Sequence, residues 1–396
     1  MAAWARVDSF TGNRLASDLM EERSCPLCRS ARRRPLLELA GFQFHIDSAT
    51  KPKRADLRTV QCLDCLVAFQ SACLTPDGYE IVMAEAEASY GASAGRADEE
   101  VAWLRERGLL GGGRRVLDVG CHTGGLLARM PAEDERIGVD VDGRALERAA
   151  AAHPGIRFVH SAFETVELGA PVATFTMFHV LEHLPRPVEA LRRLAALAAA
   201  DGRLVVEVPI AENGASNDVA PFFSPYHTTH FTRDALRRAL HTAGWSIAEW
   251  EEQDDYNGCR VVAARGSGGE TTPSGGVYER CLSAWREAVA SVGQRLAVVD
   301  APRCLIWGAG SHTEMLYHAS SFFQAAPERE YRLVDRDPLK IGGTWRGIPI
   351  VAPDAVDETD LPLIVSSYQG QPEIAAEAAA RRVDRIVTLY DEIQVH

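Results

Sequence analysis

Four groups of residues carry chemistry by type and spacing. Cys25-Pro-Leu-Cys28 and Cys62-Leu-Asp-Cys65 make two C-x-x-C turns. Each can place two thiolates on one ion, and together they complete a tetrahedral zinc shell. Four thiolates leave no open position, so a metal held there is structural. Two unrelated pairs, or a redox motif, are the competing readings. The stretch Val116-Leu-Asp118-Val-Gly120-Cys-His-Thr-Gly124-Gly125 runs from apolar residues through an acid into a glycine-bearing turn. Arg136-Ile-Gly-Val-Asp140, about twenty residues on, ends in a second carboxylate. Gly120 and Gly124 allow positive φ and let a ligand approach the backbone. Asp140 suits the hydroxyls of a ribose, so the pair of motifs suits a nucleoside. Tyr226, His227 and His230 form the third group, just ahead of Thr232. An imidazole titrating near neutrality can take a proton from an acceptor. His230 could equally cap or pack against the helix that follows. The fourth group, Gly308-Ala-Gly310 with Asp335, repeats the strand–glycine–helix pattern on a smaller scale.

The elements that must position these groups follow from periodicity. From 114 to 264, apolar runs at 115–119, 136–140, 156–160, 172–178, 203–208, 245–251 and 259–264 alternate with helical patterns at 124–130, 142–152, 187–199 and 232–243. This alternation predicts an α/β doubly wound, mostly parallel sheet. The last two strands, joined through Asp254-Asp-Tyr-Asn-Gly258, read as an antiparallel edge hairpin. Thr232 is the expected N-cap of the last helix and Gly244 its stop. Before the sheet, a loop or small hairpin over 42–58 must separate the cysteine pairs, and an acidic helix is expected over 98–107. After it, the glycine-rich segment 266–276 reads as a flexible connection. A long helix near 277–299 and a smaller Rossmann-like unit follow. The expected organisation is a zinc module over 1–80, a nucleoside-binding domain over 81–265 and a Rossmann-like domain over 277–396.

The first glycine turn does not match the dinucleotide fingerprint, because His122 stands where its second glycine would be. The succession Leu-Asp-Val-Gly-Cys-x-Thr-Gly, then Gly-Val-Asp-Val-Asp, then Phe175-Thr-Met-Phe-His-Val-Leu-Glu-His183, resembles the class I S-adenosylmethionine-dependent methyltransferases. The resemblance implies Asp118, Gly120 and Gly124 around the methionine part of the cofactor and Asp140 on the ribose. It implies Val141 and Phe163 on the adenine, and Phe178 and His179 beside the sulfonium. The order of units over nearly the whole chain is similar to the zinc-containing, three-domain sugar-nucleotide C-methyltransferases of deoxysugar biosynthesis. Those proteins carry a Tyr-His-Glu-His stretch after the fifth strand, its last histidine acting as base on a 4-keto sugar. Tyr226, His227 and His230 match it, with Thr228-Thr229 in place of the glutamate. The expected activity is methyl transfer from S-adenosylmethionine to a sugar or sugar nucleotide, with structural zinc on Cys25, Cys28, Cys62 and Cys65. An O- or N-methyltransferase on another small natural product, a nicotinamide-dependent oxidoreductase using Gly308-Ala-Gly310, and a non-catalytic binding protein remain open from these residues.

Bulk composition narrows the partners. The 396 residues are 46% hydrophobic and 24% charged, which is ordinary for a soluble globular protein of two or three domains. A net charge of -13 disfavours a nucleic-acid partner, since phosphate binding needs a basic surface. The first residues lack the apolar core of a signal peptide and no apolar run reaches membrane-spanning length, so a cytoplasmic protein without membrane contact is expected. Nine cysteines, an odd number, suit metal ligands and buried thiols better than a disulfide framework. Oligomeric state is left open.

Overall fold

A strand that is apolar on both faces needs cover on both, and Arg115–Val119 is buried at four of its five positions. It sits inside a seven-stranded sheet. The order is Trp245–Glu252, Gly258–Arg265, Ala198–Pro209, Val172–Phe178, Arg115–Val119, Glu135–Asp140, Arg157–His160. Every pairing is parallel except those of Gly258–Arg265, which runs antiparallel to both neighbours. The order and the antiparallel edge hairpin match the doubly wound, mostly parallel sheet that the sequence predicts. The computed structural model describes residues 4–7, 13–44, 53–83, 95–161, 165–220, 222–252, 257–269, 271–273 and 275–394. Phe163 and most of the turn after Glu252 lie outside the described residues.

Helix starts follow their caps. Asp142 accepts hydrogen bonds from the amides of Arg144 and Ala145 and opens Gly143–Ala152. Thr232 accepts from the Ala235 amide and opens Arg233–Thr242, which stops at Gly244 with φ +88°. Both caps satisfy amides that have no partner within the helix.

The first unit is larger than the sequence implies. Arg33–Phe44 and Lys53–Cys62 pair antiparallel along their length, so a long hairpin, not a short insert over 42–58, separates the cysteine pairs. Ala68–Gln70 adds to Lys53–Cys62, and Thr229–His230 adds to Ala68–Gln70. The stretch expected to be a loop before the last helix of the central unit thus contributes a strand to the first sheet. The cores merge as well: Leu27, Val67 and Phe69 pack with Leu181, Ile210 and Phe231.

The third unit has a six-stranded sheet in which Arg303–Trp307 lies between Glu330–Val334 and Pro362–Val365. It docks on the long hairpin through one buried ion pair. Glu314 and Arg346 are 0% and 2% exposed. One carboxylate oxygen of Glu314 accepts the Gln43 amide at 2.8 Å, and the other accepts Trp345 Nε1 at 2.9 Å. Arg346 donates to the Gly41 carbonyl at 3.0 Å. A charge buried with its partner removed is costly, about 3–5 kcal/mol. Glu314→Ala is therefore expected to lower unfolding free energy by about that amount in urea, and to expose the hairpin to proteolysis.

Candidate functional site

The carboxyl ends of the central strands open into a cavity of about 1030 Å³. Asp118, Gly120, Asp140, Val141, Phe178 and His179 lie on its wall, and the first unit closes it with Phe44, Gln70 and Tyr79. Gly120 has φ +74°, and a Cβ there would meet Val180 Cγ2 at 2.5 Å. Only glycine fits this turn. Gly124 is not on the wall. It has φ +75°, and a Cβ would strike Phe158 at 2.7 Å, so its task is to start the helix Gly125–Arg129. His122 and His179 hold φ of +47° and +54°, a backbone state that costs about 1–3 kcal/mol in non-glycine residues and gathers at functional sites.

Of the acids on the wall, Asp118 and Asp140 stand on the central strands. Asp140 accepts the amides of His122 and Asp142 at 2.8 and 2.9 Å. Burial raises its pKa against those amides. Asp118 is 5% exposed and accepts Thr176 Oγ1 at 2.6 Å. Burial, with Glu100 and Asp140 nearby, pushes its carboxyl up to about 7. No cation pairs with it among the described residues. Among the remaining charges, Arg96 and His179 on the wall are locked to Glu207 together with Arg260. Glu207 accepts from Arg96 Nη2 at 2.6 Å, Arg260 Nε at 2.5 Å and His179 Nε2 at 3.0 Å. Burial opposes the ionisation of Glu207, yet the three cations hold it down to about 2. Burial alone would depress His179, but Glu182 and Glu207 hold it up to about 9.

The three residues read as an acceptor group separate. Tyr226 lines the cavity; neither His227 nor His230 does. His230 is 1% exposed, with its ring 5.2 Å from that of Phe223 and 6.0 Å from that of Phe222. Neither ring nitrogen has a hydrogen-bond partner among the described residues. Burial drives its pKa down to about 3. His230 stands off the cavity wall because its backbone is a strand of the first sheet, which sets the ring against Phe222 and Phe223. His227 stands edge-on to His183, 4.9 Å between ring centres.

His183 was not singled out from the sequence, although it closes the quoted Phe175–His183 motif. It lies on the cavity wall, and its Nδ1 faces the Tyr226 carbonyl at 2.9 Å. Nor did any local pattern single out Arg23. Its guanidinium donates to the carbonyls of Gln70, Pro185 and Thr228, clamping first unit, cavity wall and acceptor loop together.

The cysteines converge. Cys25 and Cys65 sulfurs are 3.4 Å apart, Cys28 and Cys62 sulfurs 3.5 Å, and all four ligand atoms lie within 4.8 Å of one another. A tetrahedral site with Zn–S of about 2.3 Å spaces its sulfurs by roughly 3.8 Å, so the set fits. The hydrogen bond with Cys65 brings the Cys25 thiol down to about 5. Cys73 is a buried thiol outside the cluster. Among the described residues no helix is long and apolar enough to cross a membrane.

Residues 93–249 match a family model described as a methyltransferase domain. The ubiquinone biosynthesis O-methyltransferase of Bordetella parapertussis is 32% identical over 103 residues, covering 24% of this chain and 43% of that protein. Its counterpart in Bordetella pertussis is 31% identical over 107 residues, covering 25% and 44%. The chain thus spans less than half the length of the curated relatives it matches. Among solved structures, magnesium protoporphyrin IX methyltransferase of Synechocystis with bound S-adenosylmethionine is 25% identical, with 43% of this chain and 77% of that one covered and a TM-score of 0.33.

Proposed function

We propose that this chain transfers a methyl group from S-adenosylmethionine to a small-molecule acceptor held where the first unit closes over the central sheet. The observation that carries this reading is Asp118. A buried carboxylate without a cationic partner, on a cavity wall it shares with Asp140, calls for a cationic ligand. The donor brings an ammonium and a sulfonium. In this reading Asp118, Gly120 and Gly124 surround its methionine part, Gly124 through the shape of the turn, and Asp140 accepts the ribose hydroxyls. Val141 and Phe163 flank the adenine, and Phe178 and His179 border the sulfonium. Transfer is an in-line displacement: a bond forms from the acceptor atom to the methyl carbon as the carbon–sulfur bond breaks, and the electron pair stays on sulfur. The protein's contribution is alignment and exclusion of water.

The succession of a four-cysteine module, the methyltransferase sheet and a Rossmann-like unit supports a sugar or sugar nucleotide as acceptor, with zinc on Cys25, Cys28, Cys62 and Cys65 holding the long hairpin. Methylation at carbon needs a base. His230, with Tyr226 and His227, carries that role in the sugar C-methyltransferase reading. The cavity-facing position of His183 makes methylation at oxygen the reading better suited to the wall. His230→Phe separates the two. A packing role leaves turnover intact and stability unchanged or higher, since an unpartnered buried imidazole is removed. A base role costs roughly 10²–10⁴-fold in turnover and abolishes donor-independent deuterium exchange at the acceptor carbon.

Donor binding has a pH signature. The folded pKa of Asp118 stands near 7, and a cationic ligand favours its ionised form. Affinity for S-adenosylmethionine should therefore be full above pH 7 and fall as pH drops through it, by up to about tenfold per unit. Asp118→Asn should flatten this profile and weaken binding by about 1–3 kcal/mol. Calorimetric titrations from pH 5.5 to 8.5 read both; a wild-type affinity flat across that range refutes the assignment.

For the cysteine cluster, metal analysis of the purified chain should return one zinc for each polypeptide. Cys62→Ser should lower both that content and the folding yield.

A further inference from the structure

Beside the cavity wall, Glu182, His183 and His227 bring together the donor types of a metal site, with His183 on the wall itself. We propose that Glu182, His183 and His227 bind a divalent transition-metal cation there, and that the ion takes an oxygen of the acceptor. The inference rests on the methyltransferase reading only for the identity of the acceptor; the ion site stands on its own geometry.

One ligand atom from each of the three side chains lies within 4.8 Å of the other two. Donor atoms around an ion with bonds of about 2.0–2.2 Å sit roughly 3–4 Å apart, so small side-chain rotations close the set. Two imidazoles and one carboxylate suit manganese, iron, cobalt or zinc, and three protein ligands leave coordination positions open.

Three further observations select these residues. Glu182 is 1% exposed, and neither of its carboxylate oxygens has a hydrogen-bond partner among the described residues. Its nearest cationic atom is His179 Nδ1 at 3.2 Å. With His179 on one carboxylate oxygen, the other, Oε2, is left bare inside the protein, as a metal ligand would be. At His183, the 2.9 Å contact between Nδ1 and the Tyr226 carbonyl requires the proton on Nδ1. Nε2 is then the basic nitrogen, on the side of Glu182 at 4.0 Å. Metal-bound histidines use this backbone-carbonyl arrangement to fix their tautomer. His227 is held in place by the backbone. The amide and hydroxyl of Thr228 both donate to the Glu182 carbonyl, at 2.8 and 3.2 Å, so the loop carrying one ligand is bonded to the residue carrying another.

The position assigns the chemistry. His183 lies on the cavity wall with Phe178 and His179, the pair read as flanking the sulfonium. An acceptor hydroxyl that binds the ion gives its proton to solvent, because a divalent cation lowers the pKa of a bound oxygen acid. The resulting oxygen anion forms the new bond to the methyl carbon as the carbon–sulfur bond breaks, leaving a neutral thioether. The acceptor class is therefore a molecule presenting a hydroxyl, or a hydroxyl beside a second oxygen that shares the ion.

Manganese is the discriminating probe, since it prefers oxygen and nitrogen ligands to thiolates and so leaves the cysteine cluster alone. Titration of the full chain with Mn²⁺, followed by loss of the free-ion paramagnetic resonance signal, should reveal one bound ion per chain. In the wild-type protein the bound ion should broaden the ring proton signals of His183 and His227 ahead of those of His153 and His241. Glu182→Gln and His227→Asn should each weaken Mn²⁺ binding at least tenfold, with His227→Asn leaving S-adenosylmethionine affinity near the wild-type value. Absence of binding at millimolar Mn²⁺, or binding that spares the signals of His183 and His227, overturns the site, and this second readout needs no variant to fold. Donor affinity measured in the same samples separates the two readings. Mn²⁺ binding without donor binding removes the methyltransferase reading and keeps the ion site. Donor binding without Mn²⁺ removes the ion site alone.

Discussion

Glu207 is the residue on which the geometry of the cavity turns. It ends a central strand, is 2% exposed, and takes three cationic donors from three other parts of the chain. Arg96 belongs to the helix that leads into the nucleoside turn, Arg260 to the antiparallel edge strand, and His179 to the bend after Val172–Phe178. Each cation is also committed to a second acid: Arg96 to Glu100, Arg260 to Glu99, His179 to Glu182. Buried charges are tolerated only when paired and hydrogen-bonded, so none of these elements can shift alone. The strained backbone at His179 has the same origin. Its amide donates to the Glu207 carbonyl while its ring donates to the Glu207 carboxylate, and both bonds together hold a φ the residue would otherwise avoid.

Around that fixed end of the sheet, the chain closes the cavity with residues distant in sequence. Arg23 reaches three carbonyls that belong to the first unit, the wall and the acceptor loop. Thr229–His230 becomes a strand of the first sheet. The cysteine cluster sits at the base of this arrangement, where Cys25, Cys62 and Cys65 share a core with Leu181 and Phe231. Closure of the cavity is thus tied to the folding of the cysteine module, a coupling that follows from shared packing and not from any contact between the cysteines and the cavity wall.

How much of this was legible in the sequence depends on the range of the interaction. Strand limits such as 115–119 and 172–178 match because an apolar run bounded by charge and glycine reports burial locally. The caps at Thr232 and Gly244 match for the same reason. Asp118, Gly120, Asp140, Val141, Phe178 and His179 could be assigned to one wall because a parallel sheet brings its strand ends together whatever the loops do. The acceptor side could not. Whether His230 or His183 faces the cavity is decided by the pairing of Thr229–His230 with Ala68–Gln70, some 160 residues away in the chain, and no local periodicity encodes that register.

The two glycine turns make the same point from within one chain. Asp140 binds the His122 amide at 2.8 Å and the Asp142 amide at 2.9 Å; Asp335 binds the Ala309 amide at 2.8 Å and the Asp337 amide at 2.9 Å. Gly120 and Gly308 each donate to a carbonyl of the neighbouring strand at 2.8 Å. The local designs coincide, yet what stands above them differs. Over the second turn, His312 bonds to Ser366 at 3.0 Å and to Tyr390 at 2.7 Å, and Lys340 lies 3.6 Å from Asp335. There the chain's own side chains engage the groups that a nucleotide would meet. Over the first turn stand Asp118, without a cationic partner among the described residues, and a cavity of about 1030 Å³. A strand–glycine–helix turn fixes where a nucleoside can bind; the polar groups left uncompensated around it decide whether one does.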